Sequence, residues 1–213
     1  MLITIEGLNG VGKDFILDRV KEELKDVDYI EFITSKVPSD KLHKSLTELD
    51  KCSLEELLDF SDIFIKNMED LSSKFKSDKI YISNRWSLST YVYTKFSVEK
   101  YISYHDLQLS DRYSDYLKFN FNVKVPNYIV YLECPLEVQE ERLKNRGKYI
   151  SVYEETENNL ICKNLFEKSL EKKQPENIFR KDFKMADILK LDTYKLKTEE
   201  IVNHIVNLTR QIH

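Results

Sequence analysis

Glycine is nearly absent from this chain, with four residues in 213. Three of them, Gly7, Gly10 and Gly12, crowd together near the N-terminus. A chain that avoids glycine elsewhere keeps it where the backbone must reach positive φ or approach a ligand closely. Cysteine is also scarce. Cys52, Cys134 and Cys162 are scattered, which excludes both a cysteine metal site and a disulfide framework and leads us to expect the reducing cytoplasm. No apolar run approaches the roughly 20 residues needed to span a bilayer. No basic segment followed by an apolar core marks a signal peptide, so a protein with no membrane association is expected. Positive charge is not in excess: 33 Lys and Arg against 37 Asp and Glu leave a net charge of −4. That excludes bulk nucleic-acid binding, which needs a basic surface, but not a small basic pocket for a nucleotide. Repeats, low-complexity tracts and linkers are missing too, so residues 1–213 read as a single domain with a sizeable core.

What is present is concentrated at the start. Ile3-Thr4-Ile5-Glu6 is an apolar run that ends in Gly7-Leu8-Asn9-Gly10-Val11-Gly12-Lys13, and a helical pattern follows at once. This G-x-x-x-x-G-K spacing is the core of a phosphate-binding P-loop. A glycine-rich turn points backbone N–H groups inward as a nest for phosphate oxygens. The helix behind it adds unpaired N–H groups and the positive end of its dipole. Lys13 then supplies a mobile point charge for the terminal phosphates. The next position is unusual, because Asp14 stands where P-loops carry a Ser or Thr that ligates Mg²⁺. Either its carboxylate takes over the metal, or it is an acid favoured in a helix's first turn. Two unit negative charges about 4 Å apart at an effective dielectric of about 20 repel by about 4 kcal/mol, so without a metal Asp14 weakens nucleotide binding.

Further along, strand-like and helix-like segments alternate. Strands are expected at Leu2 to Glu6, Tyr29 to Ile33, Lys79 to Ser83, Tyr128 to Leu132 and Ala186 to Leu191. Between them lie helical patterns from Lys13 to Lys25, from a Ser53–Glu56 capping box through Leu71, and from Ser87 to about Phe121. Pro135 opens another that carries Arg142 and Arg146 and stops at Gly147; later ones pass through Leu160 to Leu170 and Thr198 to Ile212. This alternation predicts an α/β protein: a five-stranded parallel sheet with helices on both faces. Ligands on such sheets bind beyond the carboxyl ends of the strands. That rule gathers the P-loop, Lys36, Asn84-Arg85 and Cys134-Pro135 around one crevice, as a phosphotransferase requires.

With these residues in place, the chain resembles the thymidylate kinase family of P-loop nucleoside monophosphate kinases. Gly7 to Lys13 is similar to that family's G-x-D-G-x-G-K, and Asn84-Arg85-Trp86 with Ser89-Thr90 and Tyr93 to its D-R-Y and S-S-x-A-Y-Q. Lys36-Val37-Pro38 sits where the family has R-E-P, and Leu57-Leu58-Asp59-Phe60 resembles its L-L-x-F. The helix with Glu137, Arg142 and Arg146 runs as the family's does into a short lid, here about residues 147–157. The resemblance implies a P-loop NTPase fold and an ATP- and Mg²⁺-dependent kinase. The acceptor would be a nucleoside monophosphate, of the deoxypyrimidine kind such as dTMP.

It also implies roles. Gly7, Leu8, Asn9, Gly10, Val11, Gly12, Lys13 and Asp14 would hold ATP, with Asp14 toward the metal. Arg85 would bind the acceptor monophosphate, Phe60 would stack on its base, and Lys36, Phe64, Asn84 and Tyr93 would complete the acceptor site. Lys13, Arg85, Arg142 and Arg146 would carry catalysis by charge on the transferring phosphoryl group. A homodimer through helix faces such as 54–75 is implied as well. The departures are as specific: Asn9 and Asn84 replace aspartates, Phe64 an arginine and Thr94 a glutamine, and the lid's D-R-x-E reads Ser151-Val152-Tyr153-Glu154. They leave two alternatives open, a deoxynucleoside kinase of the same fold and a non-catalytic nucleotide-binding protein.

Overall fold

The computed structural model describes residues 1–35, 52–105, 123–147, 151–171 and 186–212. Its strands are β1 (Leu2–Glu6), β2 (Ile30–Thr34), β3 (Ile80–Asn84), β4 (Tyr128–Glu133) and β5 (Asp187–Asp192). They form one sheet in the order β2-β3-β1-β4-β5, with every pairing parallel. The helices are α1 (Lys13–Glu23), α2 (Leu54–Ser72), α3 (Ser87–His105), α4 (Leu136–Asn145), α5 (Thr156–Leu170) and α6 (Thr198–Gln211).

Burial follows position in the sheet. All five residues of β1 and all five of β3 are buried, as central parallel strands covered on both faces must be. The edge strands β2 and β5 are only partly buried. Register places Ile3 beside Ile82 and Ile5 beside Val130, so apolar β-branched side chains form the middle layer. Two groups of helices cover it. Ile16, Leu17 and Val20 of α1 are buried where α1 packs on α6, which buries Ile201, Val202, Ile205 and Val206. Leu57, Ile65 and Met68 of α2 are buried where it meets α3, and α3 in turn packs on α5 around Cys162 and Phe166. Each fully buried side chain of this size contributes about 1.5–3 kcal/mol.

Local rules set the helix ends. Ser53 Oγ accepts from Glu56 N at 3.1 Å, and Glu56 Oε2 accepts from Ser53 N at 2.7 Å, completing the expected capping box. Pro135 precedes α4, and Gly147 at φ 63° lies just beyond its end. Three strands begin one residue later than their apolar runs, because pairing rather than hydropathy sets the ladder: Thr34 pairs with Asn84, and Glu133 with Asp192. The helix from Ser87 is described to His105, so its expected continuation to Phe121 lies outside the described residues. Of the 147–157 segment, Val152–Glu154 is a 3-10 turn, Thr156 begins α5, and 148–150 lie outside the described residues. All three cysteines are unbridged and buried. No helix among the described residues is long and apolar enough to cross a membrane.

Candidate active site

Strand β1 lies in the middle of the sheet, and the turn after it reaches the crevice where strand order reverses. Gly7 has φ 134°, and a Cβ there would run into the Leu132 carbonyl at the end of β4. Only glycine allows that approach. Gly12 at φ 95° then caps α1 in a left-handed conformation, and no side chain caps the helix. Its first-turn N–H groups therefore face the loop, where an anion can take them. The side chains of Leu8 and Val11 are buried, so both contribute backbone to the site. Lys13 is buried as well, and its Nζ donates to the Leu8 carbonyl at 2.5 Å.

The loop is braced from α4. Gln139 on α4, itself buried, donates to the Asn9 carbonyl and to Asn159 Oδ1 of α5 at 3.2 Å. Arg142 donates to Thr193 through both terminal nitrogens, at 2.9 Å to Oγ1 and 2.9 Å to the carbonyl, and reaches the Val11 carbonyl at 3.5 Å. Arg146 donates to both oxygens of Glu154, at 2.9 and 2.8 Å, and that carboxylate is almost fully buried. The structure thus brings Arg142 to the edge of the phosphate loop and Arg146 to the 3-10 turn.

Arg85 stands at the opposite rim. It follows β3 at φ 68°, the one non-glycine residue with positive φ among those described. Its NH1 donates to the Gly7 carbonyl at 3.1 Å, Ser89 Oγ at 3.1 Å and Tyr93 OH at 3.2 Å, and its NH2 donates to Asn9 Oδ1. The guanidinium also lies 5.0 Å over the Tyr93 ring. Every one of these hydrogen-bond acceptors is a neutral oxygen. An aspartate in place of Asn9 would pair with the cation; the amide holds its geometry and leaves its charge directed outward. Burial pushes the Tyr93 phenol up to about 12 despite the neighbouring guanidinium, so it stays neutral as an acceptor.

Asp14 and Asn84, two departures seventy residues apart in sequence, are one contact. Asn84 Nδ2 donates to Asp14 Oδ1 at 2.5 Å, which leaves the buried Asn84 Oδ1 with no partner. A carboxylate beside an orphaned amide oxygen is a hard-oxygen corner at the mouth of the loop.

Arg85 opens into a cavity of about 190 Å³. Phe60, Ser61 and Phe64 line it from α2, and Tyr93, Thr94 and Ser97 from α3, with Tyr153 of the 3-10 turn closing one end. The Phe60 and Phe64 rings stand 5.5 Å apart at 58°. Two hydroxyl pairs interrupt the apolar wall: Ser61 with Thr94, and Ser97 with Tyr153, each at 2.7 Å. Phe60, Phe64, Arg85 and Tyr93 therefore meet in one place, with Asn84 adjoining at Asp14. Lys36 lies outside the described residues.

Sequence reasoning missed Glu6, Ser61, Ser97, Gln139 and Tyr153. Small hydroxyls and one amide on helices carry no signal until their neighbours are known. Glu6 carried a faint one, as a carboxylate closing a five-residue run that is otherwise built for burial. Desolvation pushes it up to about 7, against the lowering effects of Ser89, Arg85, Trp86 and Lys13.

Comparisons with known proteins place the family and the fold. No curated protein matches the chain. Among solved structures, thymidylate kinase from Candida albicans is 18% identical over 99% of this chain and 91% of its own, with a TM-score of 0.70. Deoxyadenosine kinase from M. mycoides, with dCMP bound as product, is 17% identical over the whole of both chains, with a TM-score of 0.69. At such identities the likeness shows the shared P-loop kinase fold. The model of the thymidylate kinase family matches residues 5–186, a span that holds the phosphate loop, Arg85 and the whole cavity lining. The chain belongs to the thymidylate kinase family and is an ATP-dependent nucleotide kinase.

Proposed function

We propose that the protein transfers the ATP γ-phosphoryl group to a pyrimidine nucleoside monophosphate of the dTMP kind. The observation that carries this reading is Arg85, a cation ringed by neutral acceptors at the head of a cavity whose described lining has no carboxylate. A nucleoside 5′-hydroxyl must lose a proton as it attacks, so a nucleoside kinase needs a base within hydrogen-bond reach. A monophosphate brings its own oxyanion and needs a cation instead. Glu6 does not serve as that base, because it is fully buried behind Ser89 and both of its oxygens already accept hydrogen bonds. The deoxynucleoside kinase reading draws on the M. mycoides likeness, which concerns the fold. Coupled ADP release over a panel of nucleosides and monophosphates decides between them. Turnover of monophosphates is expected, and turnover of nucleosides alone would reverse the assignment.

In this reading the P-loop backbone and Lys13 hold the donor's phosphates, and Arg85 holds the acceptor's. Mg²⁺ fits the corner at Asp14. The carboxylate is a hard ligand, and the unpartnered Asn84 Oδ1 can accept from a coordinated water. When bound, the ion neutralises charge on the donor phosphates. Asp14→Ala is therefore expected to raise the Mg²⁺ concentration needed for half-maximal rate, and Asp14→Ser to lower it again. Tighter binding of Mg-ATP by Asp14→Ala than by the parent would mean that the carboxylate repels phosphate.

The base is read by an unusual wall. Phe60 and Phe64 offer ring faces to a planar base, and Phe64 has no donor for a carbonyl oxygen. An apolar wall separates similar rings only weakly, whereas a site that hydrogen-bonds its substrate rejects analogues strongly. We expect kcat/KM for dTMP, dUMP and dCMP to fall within about a hundredfold of one another. Phe64→Arg should widen the spread in favour of dTMP. A parent that already prefers dTMP by several orders of magnitude would overturn this.

A further inference from the structure

A carboxylate at the end of a fully buried strand is costly unless its oxygens are satisfied. Glu6 is completely buried, and its two oxygens both turn toward the start of α3. Oε1 accepts from Trp86 N at 2.9 Å, and Oε2 accepts from Ser89 Oγ. Ser89 Oγ in turn accepts from Arg85 NH1 at 3.1 Å. Ser89 has one hydroxyl proton and gives it to Glu6 while accepting from Arg85; the ionised carboxylate accepts from Ser89 and Trp86 together most strongly, because protonation turns one of its two oxygens into a donor.

The second contact acts on the backbone. Trp86 N is the amide directly after Arg85, whose φ of 68° is sparsely allowed for a side chain of this size. Arg85 N donates to the Ile5 carbonyl at 3.0 Å, and the Arg85 carbonyl accepts from Ser83 Oγ at 2.7 Å and Ser35 Oγ at 3.2 Å. The first of those bonds anchors the peptide that enters Arg85; the serines at its carbonyl and Glu6 at its N–H together anchor the peptide that leaves it. One carboxylate therefore holds both the guanidinium, at one remove, and the conformation that aims it.

We infer that Glu6 is a positioning residue for acceptor binding: through Trp86 N–H and the Ser89 hydroxyl it fixes Arg85 at the head of the cavity. The assignment rests on the monophosphate reading of that cavity. The groups that face Glu6 are Arg85 from the end of β3, Lys13 from α1 and Tyr93 from α3, with Cys162 of α5 beyond them. Burial pushes both the Tyr93 phenol and the Cys162 thiol up to about 12, so neither changes charge near neutrality. Glu6, at about 7, does.

The test uses the full chain, with dTMP as acceptor or whichever monophosphate the parent turns over, between pH 6 and 8.5. Glu6→Gln keeps the shape and removes the charge. Its acceptor KM is expected to rise about tenfold, the loss of one charge-assisted hydrogen bond, while the KM for ATP stays within about twofold. Ser89→Ala breaks the same chain at its middle and should reproduce that split; Glu6→Asp should recover part of it at high pH. The monophosphate's own second ionisation, near pH about 6, acts equally on all variants. The ratio of parent to Glu6→Gln across pH therefore isolates the carboxylate, and it should widen as pH rises through neutrality. Equal losses in both KM values would mean that Glu6 merely supports the phosphate loop, and an unchanged acceptor KM would remove its role altogether. Trp86 is the single tryptophan, so its emission reports the same peptide without turnover. It should titrate near neutral pH in the parent and not in Glu6→Gln; identical titrations overturn the inference. A parent inactive on every monophosphate would refute the functional reading alone and leave this spectroscopic test standing.

Discussion

Lys13→Ala is expected to lower kcat by about a thousandfold or more while leaving the fold intact. The lysine supplies charge that counts most as the phosphoryl group leaves the donor, and binding realised only at that point raises kcat rather than affinity. Its structural cost is small by comparison. Losing the hydrogen bond from Nζ to the Leu8 carbonyl removes about 1 kcal/mol. Coupled ADP release and a thermal melt of the same sample separate the two effects. A rate near that of the parent would remove the phosphate loop from the mechanism, and a collapsed melt would mean that Lys13 is chiefly structural.

The second large effect is expected at Arg85, and here backbone and side chain can be told apart. Arg85→Gly suits the positive φ and removes the guanidinium; Arg85→Ala removes it and keeps the strain, about 1–2 kcal/mol for an L-residue. Both should raise the acceptor KM about a hundredfold or more, since a charge-assisted contact to phosphate is lost, with Arg85→Ala also the less stable. Arg85→Lys should rescue little. The arginine uses two nitrogens to span Gly7, Ser89, Tyr93 and Asn9, and a point charge on a flexible stem cannot hold that fork. Full rescue by lysine would show that charge alone matters. An unchanged acceptor KM would place the acceptor phosphate elsewhere.

Much of this architecture was legible before any coordinates. The β1 run, its glycines and the following helix specify each other locally, and the Ser53–Glu56 box fixes the start of α2 within four residues. The alternation of strands and helices then leaves few topologies. What sequence could not supply was pairing at a distance. Asp14 and Asn84 looked like two separate losses, yet they touch, and together they keep one carboxylate and one amide where a hydroxyl and a carboxylate were expected. Arg142 and Arg146 looked equivalent, one helical turn apart. Their partners differ, Thr193 for one and Glu154 for the other, because each reaches a different neighbouring element. Phe60 and Phe64 could be core or cavity on periodicity alone; only the position of α3 makes them a wall. Glu6 was hidden for the opposite reason, since its strand is too short for one polar residue to stand out.

The edge strand β5 sets a boundary of another kind. The family model matches as far as residue 186, and β5 begins one residue later. Yet β5 pairs with β4 along six residues, α6 beyond it covers α1, and Thr193 between them takes both terminal nitrogens of Arg142 at the rim of the phosphate loop. Cutting the chain where that match stops would expose the flank of β4 to pairing with other chains and uncover the apolar side of α1. It would also release the arginine that ties the last loop to the first. The phosphate loop thus leans on a strand, a turn and a helix that lie beyond the matched span, so the smallest unit able to stand as a folded whole is larger than the span by which the family is known.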